Sequence, residues 1–130
     1  RGQVQGAQML SRRSKRTGPT TATRAVVMTR ADNCCERCGV GVADIPASIH
    51  HRKPRRMGGT KDPAINAAEN LALLCGTGTT GCHGWVESNR AEAKGLGWLV
   101  ADWESPETVP MSDLYGHRFI FDDDRRVDLA

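Results

Sequence analysis

Apolar positions along the chain come in short runs separated by long polar stretches. Residues 1–18 (RGQVQGAQMLSRRSKRTG) are polar, Gly- and Gln-bearing and basic, a pattern that predicts a mobile tail. From Pro19, PTTATRAVVMTRADN gathers Ala25, Val26, Val27 and Met28 and predicts a short helix, with Thr17 or Thr20 as its cap. Ala47–His51 (ASIHH) and Leu71–Leu74 (LALL) read as two short strands. The stretch between them, RKPRRMGGTKDPAINAAEN, is too long and too rich in Pro, Gly and charge to be a plain connection; such loops in small domains are functional or disordered. GCHGWVESNRAEAKG predicts one helix ended by Gly95, and GWLVADW a further strand. Pro106 and Pro110 then interrupt the chain, and RFIFDDDRRVDL predicts a terminal hairpin turning in the Asp run. The reading is an α+β chain without internal repeats: a basic tail over 1–18 and one domain over 19–130, its core motif at 35–95.

Composition adds a demand for a staple. Of 130 residues only 38% are hydrophobic and 5% aromatic, a thin core that small domains usually reinforce with disulfides or a metal. The polar, basic first residues carry no apolar run before a cleavage site, and no stretch approaches the ~20 apolar residues of a membrane span. A reducing cytoplasm is the expected setting, where clustered cysteines read as metal ligands.

Cys35-Glu36-Arg37-Cys38-Gly39 is a CxxC knuckle, able to grip one ion from a tight turn. Cys75 and Cys82 supply a second pair, joined by a flexible GTGTTG, and zinc would complete a closed, structural four-thiolate site. Cys34 is left over. A slip to it is conceivable, but two intervening residues suit a knuckle better than three. A CxxC alone could equally be a redox pair; two further downstream cysteines favour zinc.

Three of the four histidines, His50, His51 and His83, fall between the outermost of these cysteines or directly beside the last. Neighbours in a strand point to opposite faces, so one of His50 and His51 can bind an ion while the other stays free. Cys82 and His83 diverge by ~100° on a helix, which lets Cys82 face a zinc and His83 the hairpin.

The order CERCG, IHHRKPRRMGG, ENLALLC, GCHGWV resembles the HNH endonucleases, especially the small ones encoded by bacteriophages, over roughly Cys35 to Arg90. The resemblance implies a zinc-stapled ββα-metal fold (treble-clef-like, His-Me finger) with a peripheral helix and terminal hairpin, cleaving phosphodiester bonds with a divalent ion. It matches His51 to the general base, a role that an imidazole with pKa ~6.5 suits. It matches His50 and His83 to the ligands of a catalytic cation (magnesium, manganese, nickel or zinc), and Asn70 to the middle residue that ties the loop down and helps fix the base. Standing alone, Asn70 would read as a turn residue before a strand. Two departures stand out: His50 occupies a place where many relatives have Asp, and six residues rather than two separate Cys75 from Cys82. A third ligand is not evident; Glu87, one turn beyond His83, could serve, but reads first as a solvated helix residue.

Charge is asymmetric. Residues 1–61 hold 13 Lys/Arg against 3 Asp/Glu, a net of +10, and residues 62–130 hold 5 against 12, a net of −7. Beside a nuclease centre, Arg52, Arg55 and Arg56, with Lys53, are expected to contact phosphates, and Arg12, Arg13, Lys15 and Arg16 to add salt-sensitive affinity. Trp85, Trp98 and Trp103 read as packing residues, and His117 and Asp122–Asp124 as surface. The expected working form is a monomer acting on double-stranded DNA in the cytoplasm (that of the bacterial host if the chain is phage-encoded), with phage terminase subunits as a partner implied by resemblance alone. The rival is a non-catalytic zinc module that binds DNA or protein, and RNA cleavage stays open.

Overall fold

A computed structural model describes residues 18–54 and 63–130. The expected basic tail therefore lies, apart from Gly18, outside the described residues, as do Arg55, Arg56 and the loop glycines Gly58 and Gly59.

Helix α1 spans Thr21–Ala31. Of the two candidate caps Thr20 serves: its hydroxyl accepts from the Thr23 amide at 3.1 Å. The helix stops at Asp32 and Asn33, both at positive φ (54° and 53°), a conformation that Asp and Asn tolerate better than other side-chain-bearing residues. That reversal delivers the chain into the cysteine knuckle.

Strands β1 (Ala47–His51) and β2 (Leu71–Cys75) form an antiparallel hairpin, with Ser48 opposite Leu74 and His50 opposite Ala72. Helix α2 (Gly81–Ser88) follows and completes a ββα unit. The predicted helix over 81–95 is broken: Asn89 leaves helical geometry (φ −130°, ψ 54°), and α3 (Arg90–Gly95) restarts after it. Leu71–Leu74 are all buried, because α1 packs towards Ile49 and Leu73 on one face of the hairpin while α2 crosses the other, where Ser48 meets His83.

The expected strand over 97–103 is absent. Trp98, Leu99 and Val100 are buried as their hydrophobicity demands, but the Gly97 and Trp98 carbonyls are taken by the side chains of Arg52 and His50 rather than by a neighbouring strand. Gly97 sits at φ +84°, and a Cβ there would collide with the Pro110 carbonyl, so the close approach requires glycine. The terminal hairpin forms as expected, β4 (Arg118–Asp122) with β5 (Arg125–Asp128), turning at Asp123 (φ 54°). A two-residue strand β3 (Met111–Ser112) adds to its edge. Phe119 and Phe121 from β4 join Trp98, Met111 and the hairpin leucines in one core.

A buried ion pair ties these parts together. Arg30 donates to Glu36 through Nε (3.0 Å) and Nη2 (2.9 Å), and also to the Ala68 and Leu71 carbonyls; Glu36 accepts from the Leu73 amide. The guanidinium lies 3.4 Å from the centre of the Phe121 ring. One arginine thus joins α1, the knuckle, β2 and the terminal hairpin.

Candidate metal centres and active site

The four cysteines at 35, 38, 75 and 82 converge, with all Sγ atoms within 4.8 Å of one another, and no cysteine of the chain forms a disulfide. Cys38 and Cys75 Sγ are 3.8 Å apart, the separation of ~3.8 Å that two thiolates adopt on one tetrahedral ion with bonds of ~2.3 Å. Backbone amides of Cys38 and Cys82 point at the sulfurs of Cys35 and Cys75 (3.5 and 3.4 Å), and Arg37 Nη1 donates to Cys82 Sγ at 3.2 Å. Donors aimed at sulfur suit thiolates. The hydrogen bond from Cys82, helped by backbone amides against the cost of burial, holds the Cys35 thiol down at about 4, while the same contact pushes Cys82 far up. The donor set fits a structural metal. Cys34 stands apart, its backbone bridged to Gly41.

The long gap between Cys75 and Cys82 closes by backbone contact. Gly76 (φ +89°) and Gly81 (φ +63°) press against each other's flanking carbonyls, where any Cβ would collide with Thr80 or Cys75. The knuckle is clasped from outside by the stretch before β4: the Leu114 amide donates to the Arg37 carbonyl and the Tyr115 hydroxyl to the Cys38 carbonyl.

On the other side of α2, His50, His83 and Glu87 offer ligand atoms that also lie within 4.8 Å of one another. The imidazoles of His50 and His83 are 5.2 Å apart between centroids, and Glu87 Oε2 is 3.6 Å from His83 Nε2. Their protons are assigned by their partners. His50 Nε2 donates to the Trp98 carbonyl at 2.7 Å, which leaves the lone pair on Nδ1. Ser48 spends its one proton on the Gly76 carbonyl, so it accepts from His83 Nδ1 at 2.7 Å and the His83 lone pair falls on Nε2. Burial pulls His50 down to about 4, which keeps it neutral, as a ligand must be, at ordinary pH. Two oriented imidazoles and a carboxylate one helical turn on fit a divalent cation. Glu87, which the sequence offers as a possible third ligand but favours as a solvated residue, is part of this cluster, although its other oxygen accepts from Arg90 at 2.8 Å. Ser48 was missed altogether, because a lone strand serine carries no signal.

His51, next in the strand, projects to the opposite face and is partly exposed; its Nε2 lies 2.8 Å from Asn66 Oδ1. Asn70 is buried and grips the loop: Oδ1 accepts from the Lys53 amide (2.7 Å), and Nδ2 donates to the carbonyls of Lys53 (3.1 Å) and Ile65 (2.8 Å).

Arg52 does not have the place expected of a phosphate contact. It is fully buried, and its guanidinium donates to the carbonyls of Gly97, Glu69, Pro106 and Val109. Burial draws it down to about 10, still charged at neutral pH, with Glu104, Glu36 and Glu107 as countercharge. Arg52 is an internal strut that pins the end of β1 to the 97–109 segment. Arg52→Ala is therefore expected to cost on the order of 3 kcal/mol of stability, seen as a lowered thermal midpoint. The tryptophans also divide: Trp98 is buried, Trp85 stacks on Arg37 at 3.9 Å, and Trp103, expected to pack, is 84% exposed. Among the described residues no helix is long and apolar enough to cross a membrane.

Comparison with curated proteins and with solved structures returned no match. Residues 35–83, from the first knuckle cysteine to the histidine of α2, match the family model described as HNH endonuclease.

Proposed function

We propose that the chain is a metal-dependent endonuclease that hydrolyses phosphodiester bonds of double-stranded DNA. The observation that carries this reading is the juxtaposition at the end of β1: His50, with His83 and Glu87, on one face, and His51 on the other. Such a pair lets a cation and a base approach one phosphate from different directions, as in-line displacement requires.

In this reading His51 takes a proton from the attacking water, the role of a general base. His50, His83 and Glu87 hold the divalent ion, which when bound supplies positive charge for the phosphate oxygens and the departing 3′ oxygen. Asn70 keeps the loop between the strands tied to Lys53 and Ile65, and with it the base in register. A zinc held by the four cysteines would be structural: these cysteines lie in the knuckle, at the end of β2 and in the first turn of α2, so the ion would tie together the elements that set where His83 stands relative to His50. Arg55, Arg56 and Lys53 remain the basic side chains proposed to contact phosphates. A phage setting and a terminase partner rest on the sequence resemblance alone.

The test is cleavage of supercoiled plasmid by purified, zinc-loaded protein, with magnesium, manganese, nickel or zinc added in turn. Ion-dependent nicked or linear product is expected. Glu87→Ala should raise the ion concentration for half-maximal cleavage at least about tenfold, by comparison with what outer-shell partners of a metal site cost. Absence of cleavage with every ion, while zinc stays bound and DNA is retained, would leave the non-catalytic zinc module as the function.

A further inference from the structure

Base catalysis needs His51 in one of its two neutral forms. A bond that bears on the choice crosses the loop. Asn66 Oδ1 lies 2.8 Å from His51 Nε2, and an amide oxygen can only accept, so this bond favours the form with its proton on Nε2. We infer that Asn66 is a positioning residue for His51, fixing its tautomer and ring orientation through this bond; the inference rests on the nuclease reading for its consequence, not for its geometry.

Asn66 closes the 3-10 turn Pro63–Asn66, and the buried Asn70 holds that turn from both sides. Asn70 Nδ2 donates to the Ile65 carbonyl at 2.8 Å and its backbone amide donates to the Ala67 carbonyl at 2.9 Å. The same side chain binds both backbone groups of Lys53, two residues beyond His51. One asparagine thus fixes the strand end and the turn relative to each other, and a second spans the gap between them to the imidazole. Asn70 reaches His51 at one remove, through Asn66.

The arrangement parallels the other two histidines, where Trp98 and Ser48 assign the protons of His50 and His83. Those oxygens orient ligands. Asn66 orients the group that moves a proton, so its loss should appear in turnover rather than in substrate or ion affinity. Outer partners of oriented imidazoles are typically worth 10–100-fold.

The experiment compares wild type, Asn66→Ala and Asn66→Asp in the full metal-loaded chain. It reads kcat and KM on a short duplex, and the protonated ring nitrogen of His51 by long-range proton–nitrogen NMR. Asn66→Ala should release the tautomer to a mixture and lower kcat by about 10–100-fold with KM little changed. Asn66→Asp keeps an acceptor and should restore both the Nε2–H form and most of the rate. A tautomer unaltered in Asn66→Ala overturns the inference, as does a loss of rate that follows a lowered melting point and is not rescued by Asp. Should wild type fail to cleave any duplex, the nuclease reading falls on that result, while the NMR comparison still decides the role of Asn66.

Discussion

Chelation of the structural zinc proposed at the four cysteines, or Cys82→Ser, is expected to abolish the cooperative thermal transition and leave a largely unfolded chain. A structural zinc in a small module contributes on the order of 10 kcal/mol, comparable with the ~5–15 kcal/mol that is the whole stability of a typical domain. The core has little to offset such a loss: much of it is the hairpin leucines, Trp98 and two phenylalanines, assembled around an irregular 97–109 segment. Circular dichroism melts with metal analysis on the same samples provide the measurement. Cys34→Ser is the control, because Cys34 lies outside the quartet, and it should retain both zinc and melting point. A Cys35→Ser protein that keeps its zinc and its transition would show that the assigned register is wrong.

His51→Ala carries the second large effect. Removing a general base lowers turnover by about 10²–10⁴-fold, and the partly exposed position of His51 means that its truncation leaves the core intact. The variant should bind duplex DNA and zinc like wild type in gel-shift and metal assays while its cleavage rate falls by that factor. His50→Ala should behave differently. It removes a buried side chain that holds the Trp98 carbonyl, so both cation activation and stability should suffer. Equal cleavage by wild type and His51→Ala would remove His51 from the chemistry and transfer the search to another base.

What the sequence made legible follows from how local each signal is. The hairpin strands, the Thr20 cap, the terminal hairpin and the cysteine quartet rest on short-range patterns, and the structure contains each of them. The segment 97–103 was misread because its apolar run is real but its backbone partners are distant: only the fold brings Arg52 and His50 to the Gly97 and Trp98 carbonyls. The break at Asn89 has the same character, since helical periodicity runs straight across it. In the candidate site the histidines stood out by spacing, Asn70 only through the family resemblance and Glu87 only as a weak candidate one turn beyond His83, whereas Ser48 and Asn66 acquire meaning only beside a particular imidazole nitrogen. Arg52 shows the opposite failure. A cation next to a candidate base looks like a phosphate ligand until its burial is known.

The inward-facing arginines change what the basic front half can do for a polyanion. Of the 13 Lys/Arg in residues 1–61, Arg30, Arg37 and Arg52 have their guanidinium groups committed to Glu36, to a cysteine sulfur and to main-chain carbonyls. Binding to DNA releases condensed counterions in proportion to the phosphates that surface cations neutralise. These three displace none, so at most ten of the thirteen can steepen the fall of affinity with added salt. The formal charge of this half therefore overstates its pull on a duplex: part of the positive charge serves as internal mortar, insulated from the ionic strength outside.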